Sequence, residues 1–128
     1  MLWYVALGSA LGGVGRWLLG GAVQRLSPAF PVGTLAVNVL GAFVLGLVLR
    51  FSLASPDVSP EVRTFLAVGV CGGFTTFSTF SWETLALLEE GAWARAGANV
   101  ALSLFLCLAA VALGAAAGRQ LFELRLRG

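Results

Sequence analysis

The side chains of this sequence able to do chemistry are nearly all uncharged donors. The densest run of them is Gly72 to Phe80, GGFTTFSTF, with two glycines, four hydroxyls and three phenyl rings. It interrupts a hydrophobic segment long enough to cross a bilayer. Hydrocarbon offers no water to freed backbone N–H and C=O groups, each of which costs several kcal/mol, so a broken helix there must lie against protein or a water-filled cavity. Helix ends at such breaks attract charge, and unwound carbonyls coordinate cations. The break is the first candidate for a functional site.

Further polar groups recur at helical spacing. Thr34 and Asn38 are four apart and share one helical face. Asn99, Ser103 and Cys107 stand at i, i+4 and i+8 and form a stripe down a Leu- and Ala-rich segment. The plain reading of such groups is interhelical hydrogen bonding and small-residue packing; the sharper one is a track for something polar. Phe77 and Phe80 are three apart, and a phenyl ring has a positive edge, so edge-on rings suit an anion path that excludes bulk water. Core packing is the bland alternative for both rings. Arg16 follows the run Gly8, Gly12, Gly13 and Gly15 and is always ionised, whereas Glu83 is the one carboxylate close to the break. Neutral donors with a nearby arginine suit an anion.

Several function classes are excluded. With no histidine and no lysine, the sequence lacks the usual general base, the commonest metal ligand and Ser-Lys chemistry, so an enzyme is not expected. Cys71 and Cys107 read as small buried hydrophobes and imply neither a disulfide nor a zinc site. Nothing points to a nucleic-acid partner.

These residues need membrane-spanning elements to position them. The chain has 128 residues, 59% hydrophobic and 11% charged, with mean hydropathy +0.92. A spanning helix takes about 20 predominantly apolar residues. Four such stretches are predicted, near Leu2–Ala22, Val32–Leu53, Val62–Leu88 and Ala94–Gly118, forming one all-α integral membrane domain over residues 1–128 with the third span broken from Gly72 to Thr79. MLWYVALG has no basic flank and reads as part of the first span, not a removable signal. The connectors carry prolines, glycine and charge at Ser27–Pro31, Ser55–Pro60 and Glu89–Gly91. Arg50, Arg63, Arg119, Arg125 and Arg127 fall on one side and Arg25 and Arg95 on the other, a modest lean toward both termini inside that permits insertion in both orientations. Trp3, Tyr4, Trp17, Trp82 and Trp93 lie near span ends, where such rings anchor at headgroups.

Three motifs, in order, resemble the Fluc, or CrcB, fluoride channels. They are Gly12-Gly13-Val14-Gly15-Arg16-Trp17 in the first span, Gly33-Thr34-Leu35-Ala36-Val37-Asn38-Val39-Leu40-Gly41 in the second, and Gly72 through Glu83 in the third, GGFTTFSTFSWE. The third is highly specific, and length and layout match over nearly the whole chain. The resemblance implies an antiparallel, dual-topology homodimer in the bacterial inner membrane, with two fluoride pores and a central structural sodium ion. Carried over by motif, the sodium ligands are backbone carbonyls of Gly72 and Thr75 from both subunits. Phe77 and Phe80 are then pore rings, Asn38 is a pore-lining donor with Thr34 on its face, and Thr76, Ser78 and Thr79 belong to a hydroxyl track. Arg16 belongs to the vestibule. In the fourth span Ser103 fits, while Asn99 stands where relatives can carry a tyrosine and Cys107 where they can carry a hydroxyl.

The resulting expectation is passive export of cytoplasmic fluoride. The principal rival is a small proton-coupled multidrug exporter of four spans, which needs an essential carboxylate in its cavity; the first span has none. A non-transporting subunit of a larger membrane complex would leave the polar stripes without a purpose.

Overall fold

The computed structural model describes residues 1–128, all in helices and short connections. Helix α1 is Leu2–Gln24 and α2 is Val32–Ala54. Pro28 and Pro31 keep the intervening loop from coiling. The loop is stapled by Gln24, whose Nε2 donates to Ser27 O (3.2 Å) and Phe30 O (2.9 Å) while its Oε1 accepts from Gly33 N (3.0 Å). That last bond satisfies one of the orphan N–H groups at the start of α2. At the other end Ser55, which precedes a proline, leaves the helix with ψ 111°.

The third span begins at Pro60, with Ser59 as its N-cap accepting from Val62 N at 3.2 Å. Pro60–Arg63, a wide π-helical stretch Thr64–Cys71 and Gly72–Phe74 follow one another without interruption and are here α3. A π-helix of eight residues is unusual, since the geometry mostly occurs as single turns, often at functional sites. Thr75 and Thr76 are extended, and α4 runs Phe77–Glu89. At its end Gly91, with φ 76°, closes the helix as Gly91 N donates to Leu88 O and Ala92 N to Leu87 O. Helix α5, Trp93–Arg127, completes the chain.

The break is narrower than the expected Gly72–Thr79. Gly72 and Gly73 are helical, and only Thr75 and Thr76 leave the helix, because Thr76 caps α4 at once through its side chain. The fourth span, α5, is longer than expected. It runs past Gly118 to Arg127, about 52 Å at 1.5 Å per residue, since no breaker intervenes before Gly128. Three segments have the length and hydropathy to cross a membrane: Val32–Ala54, Pro60–Glu89 and Trp93–Arg127. Helix α1 matches α2 in length, with its glycines and Arg16 diluting its apolar character.

The bundle is joined by close backbone contact. Helix α5 packs along α2, and α1 along α3. A Cβ added to Gly8 would lie 2.5 Å from Phe65 O, one on Gly118 2.5 Å from Leu47 O, and one on Gly114 would run into Phe43 O. Lipid is as apolar as leucine, so helices associate by such approach and not by burying apolar surface. Only 18 of the 128 residues are buried, so the leucines and aromatics mostly face outward. Arg125 Nη2 meets Asp57 Oδ2 at 2.6 Å, and Arg95 Nη1 donates to Ala29 O at 2.9 Å. The C-terminus thus lies beside the α2–α3 connection, and the α4–α5 turn beside the α1–α2 loop, in agreement with the expected partition of arginines.

Candidate functional site

The break stands against α2. Thr76 has φ −152° and ψ 114°, and its peptide is met by the Asn38 side chain on both edges: Nδ2 donates to Thr76 O (3.0 Å) and Oδ1 accepts from Thr76 N (2.7 Å). The amide thereby replaces the helical bonds lost at the break, which is what a nonhelical segment at membrane depth requires. One Nδ2 hydrogen is left for another acceptor. Thr76 Oγ1 accepts from Thr79 N (3.1 Å), donates to Thr79 Oγ1 (3.0 Å) and lies 3.3 Å from Ser78 Oγ. The hydroxyls of Thr76, Ser78 and Thr79 are therefore one cluster at the first turn of α4.

The same bonds release carbonyls. In a continuing helix Thr76 N would close on Gly72 O and Thr79 N on Thr75 O; here the first donates to Asn38 and the second to Thr76 Oγ1. No side chain donates to either carbonyl. Gly73 O, between them, accepts from Arg16 Nε at 3.1 Å, and Cys71 O accepts from both Thr75 N (3.1 Å) and Thr75 Oγ1 (2.9 Å). Gly72 is exposed, and a Cβ there would find nothing nearer than Ala67 O at 4.0 Å. The Gly72 and Thr75 carbonyls thus have the chemistry of a cation site made of backbone oxygens. No cluster of acidic, cysteine or histidine side chains exists to hold a metal by other means.

Phe77 and Phe80 are side by side, with centroids 5.3 Å apart and ring planes at 48°. Phe77 is 79% exposed, so its ring projects from the chain and is not part of a core. Thr34 Oγ1 donates to Glu83 Oε1, joining the second span to α4 one turn beyond the ring pair. A cavity of about 1150 Å³ opens toward the α1–α2 loop and reaches the break. It brings together Arg16, Thr34, Thr76, Thr79 and Glu83; Asn38, Phe77, Ser78, Phe80 and Ser103 lie outside its lining. Arg16 is thus both at the cavity wall and bonded to the break.

The fourth-span stripe divides. Asn99 is 2% exposed and its Nδ2 donates to Thr84 Oγ1 (3.0 Å), which in turn donates to Phe80 O (2.8 Å). Ser103 and Cys107 are half-buried. Sequence reasoning missed Thr84 and the pairing of Glu83 with Thr34. The signal for the former was its position four residues after Phe80, the spacing at which a threonine bonds back to a helical carbonyl.

Comparison with known proteins supplies the decisive observation. A family model described as CrcB-like protein, Camphor Resistance (CrcB), matches residues 3–115. The chain belongs to the CrcB family. It is similar to proteins named Fluoride-specific ion channel FluC: 53% identical over 116 residues to that of Opitutus terrae, covering 87% of this chain and 86% of the relative. To the Geobacter sulfurreducens protein it is 50% identical over 118 residues, with 91% and 95% covered, and to that of Shewanella loihica 48% over 112 residues, with 87% and 90%. The CrcB match takes in the break, the cavity and Asn38, and ends before the last turns of α5. With its apolar helices, this CrcB chain is a multi-pass membrane protein.

Proposed function

We propose that the chain is a passive fluoride-selective channel that relieves cytoplasmic fluoride, working as an antiparallel, dual-topology homodimer with two pores. The observation that carries this is the break itself, a cluster of neutral donors and ring edges at membrane depth, in a chain whose relatives are named fluoride-specific channels. Fluoride holds its water tightly. A path for it must offer replacement donors at each step and never bind so firmly that exit stalls. The Thr76, Ser78 and Thr79 hydroxyls, the free Asn38 N–H and the Phe77 and Phe80 edges meet that need, with Thr34 toward the cavity and Ser103 from α5. Arg16 draws anions into the cavity, while its bond to Gly73 O keeps part of its charge occupied.

The second copy follows from exposure. Gly72, Phe77 and Ser78 are exposed in one chain beside carbonyls freed from the helix, and hydrocarbon cannot satisfy those groups. A partner must cover them. Two carbonyls from each copy, Gly72 O and Thr75 O, would form a four-oxygen cage for a sodium ion, whose charge offsets the converging carbonyl dipoles. The ion's part is structural. Transport here needs no catalytic group, so the reading is a conduit and not an enzyme.

Fluoride efflux from liposomes containing only this protein tests the reading, with and without a proton gradient. Efflux down a fluoride gradient alone is expected. Strict dependence on the proton gradient would instead assign Glu83 the carboxylate role of a proton-coupled exporter.

A further inference from the structure

Helices α4 and α5 make limited contact, and an apolar groove of about 490 Å³, with Thr84, Val100 and Leu104 in its lining, runs between them. One side-chain hydrogen bond crosses it, from Asn99 Nδ2 to Thr84 Oγ1 at 3.0 Å. Thr84 passes the connection on to Phe80 O at 2.8 Å. Asn99 is 2% exposed, and one of its Nδ2 hydrogens is engaged in this bond. A hydroxyl that accepts from an amide becomes a better donor, and in a low-dielectric setting such chains reinforce one another. The carbonyl they end on belongs to the residue whose ring pairs with Phe77.

We propose that Asn99 is a positioning residue: through Thr84 it fixes the Phe80 carbonyl, and with it the rotation of the first turn of α4 that presents the Phe77 and Phe80 rings. This rests on the reading of those rings as part of the ion path, and goes beyond it by giving a buried fourth-span residue control of their geometry. Two side-chain bonds tie α4 to other helices near this turn, Thr34 Oγ1 to Glu83 Oε1 from α2 and Asn99 Nδ2 to Thr84 Oγ1 from α5, and the second is the one whose acceptor also bonds Phe80 O. Thr76 caps the turn from within the third span, and Asn38 grips the peptide before it, so neither resists rotation about the α4 axis at Phe80. Ser81 bonds back to Phe77 O at 2.9 Å on an exposed face, with no partner from another helix.

The test uses the full-length protein in liposomes with Asn99→Leu, Thr84→Val and the double variant. Each single change is expected to lower fluoride efflux about fivefold, the rate equivalent of one net hydrogen bond. The double variant should be no slower than either single one, because both break the same chain of bonds. Thr84→Ser, which keeps the hydroxyl, should recover the flux. A second readout is independent of transport: 4-fluorophenylalanine in place of Phe80, followed by fluorine NMR in detergent, should shift in the same direction in both single variants. Asn99→Ala and Thr84→Ala remove the same contacts if the larger substitutions prevent folding. Additive losses of flux, or a resonance that does not move, would overturn the proposal and leave Asn99 a packing residue or a direct pore donor. A wild-type protein that passes no fluoride sinks the channel reading, and the NMR shift then judges the relay by itself.

Discussion

Two ways of joining helices coexist in this chain. Along α1–α3 and α2–α5 the backbones touch through Gly8, Gly12, Gly46, Gly69, Gly73, Gly114 and Gly118, with no room for a side chain. Around the break the helices are instead connected by a few polar side-chain bonds: Asn38 to both edges of the Thr76 peptide, Arg16 to Gly73, Thr34 to Glu83 and Asn99 to Thr84. The first arrangement sums many weak dispersion contacts and fails as a whole when a methyl group intrudes. The second is built from bonds worth about 1 kcal/mol each, so losing one alters geometry before it unfolds the chain. On the proposed reading, stability resides in the seams and transport in the bonds, which gives the comparison its predictions.

The largest effect is expected at a seam. Gly114→Leu would place its Cβ on Phe43 O, which is backbone and has nowhere to go, so the cost exceeds the about 1–3 kcal/mol of ordinary overpacking. Purification in detergent should yield no monodisperse protein. A folded and conducting variant would show that the α2–α5 seam is looser than its backbone spacing implies.

At the break, Asn38→Asp should cut fluoride efflux at least tenfold while folded protein remains, since it replaces the donor to Thr76 O with an acceptor and adds negative charge beside the proposed path. Phe80→Ile retains apolar bulk without the ring edge, so its flux should fall much further than its dimer yield. Normal flux in both variants would reduce the break to packing.

Gly72 and Gly73 sharpen the comparison, because they are neighbours that belong to different arrangements. A Cβ on Gly73 would lie 2.7 Å from Ser9 O within the same chain, whereas one on Gly72 meets nothing closer than 4.0 Å. Gly73→Val should therefore damage the fold of the single chain. Gly72→Val should leave that fold intact and weaken the proposed dimer, with it the sodium dependence and the flux that the proposal assigns to it. Size-exclusion chromatography with and without sodium separates the two outcomes. Equal behaviour of the two variants would argue against a partner-facing Gly72.

How much of this was readable from residues alone follows the same division. The connections were legible, since Pro28, Pro31, Pro56, Pro60 and Gly91 act locally on φ, ψ and the N–H supply. The break was legible in place but not in width. Whether Gly72 stays helical depends on what takes the Thr76 N–H, and that partner, Asn38, is on another helix. The spacing of Asn99, Ser103 and Cys107 correctly assigned them one face. It did not say that α4 covers Asn99 and leaves the other two half-buried, because periodicity names a face without naming its neighbour. Thr34 and Glu83 are 49 residues apart, and no local rule pairs them.

The smallest effect is expected where polar bonding occurs in water. The Arg125–Asp57 pair is short, 2.6 Å, but its side chains are 48% and 69% exposed, and it joins the last turn of α5, beyond the residues matched by the CrcB family model, to the α2–α3 connection. Such pairs give back most of their Coulomb energy to solvent and to the entropy of two ordered side chains, leaving about 0–1 kcal/mol. Nearby, Phe122 packs edge-on against Phe51 at 6.4 Å and holds the helix end without help from charge. Arg125→Gln should therefore leave fluoride efflux unchanged and move the thermal midpoint by no more than a few degrees, at low salt and at high salt alike. A large loss of flux would mean that the helix end is coupled to the break 50 residues away, and that bond type and exposure do not predict which contacts this chain depends on.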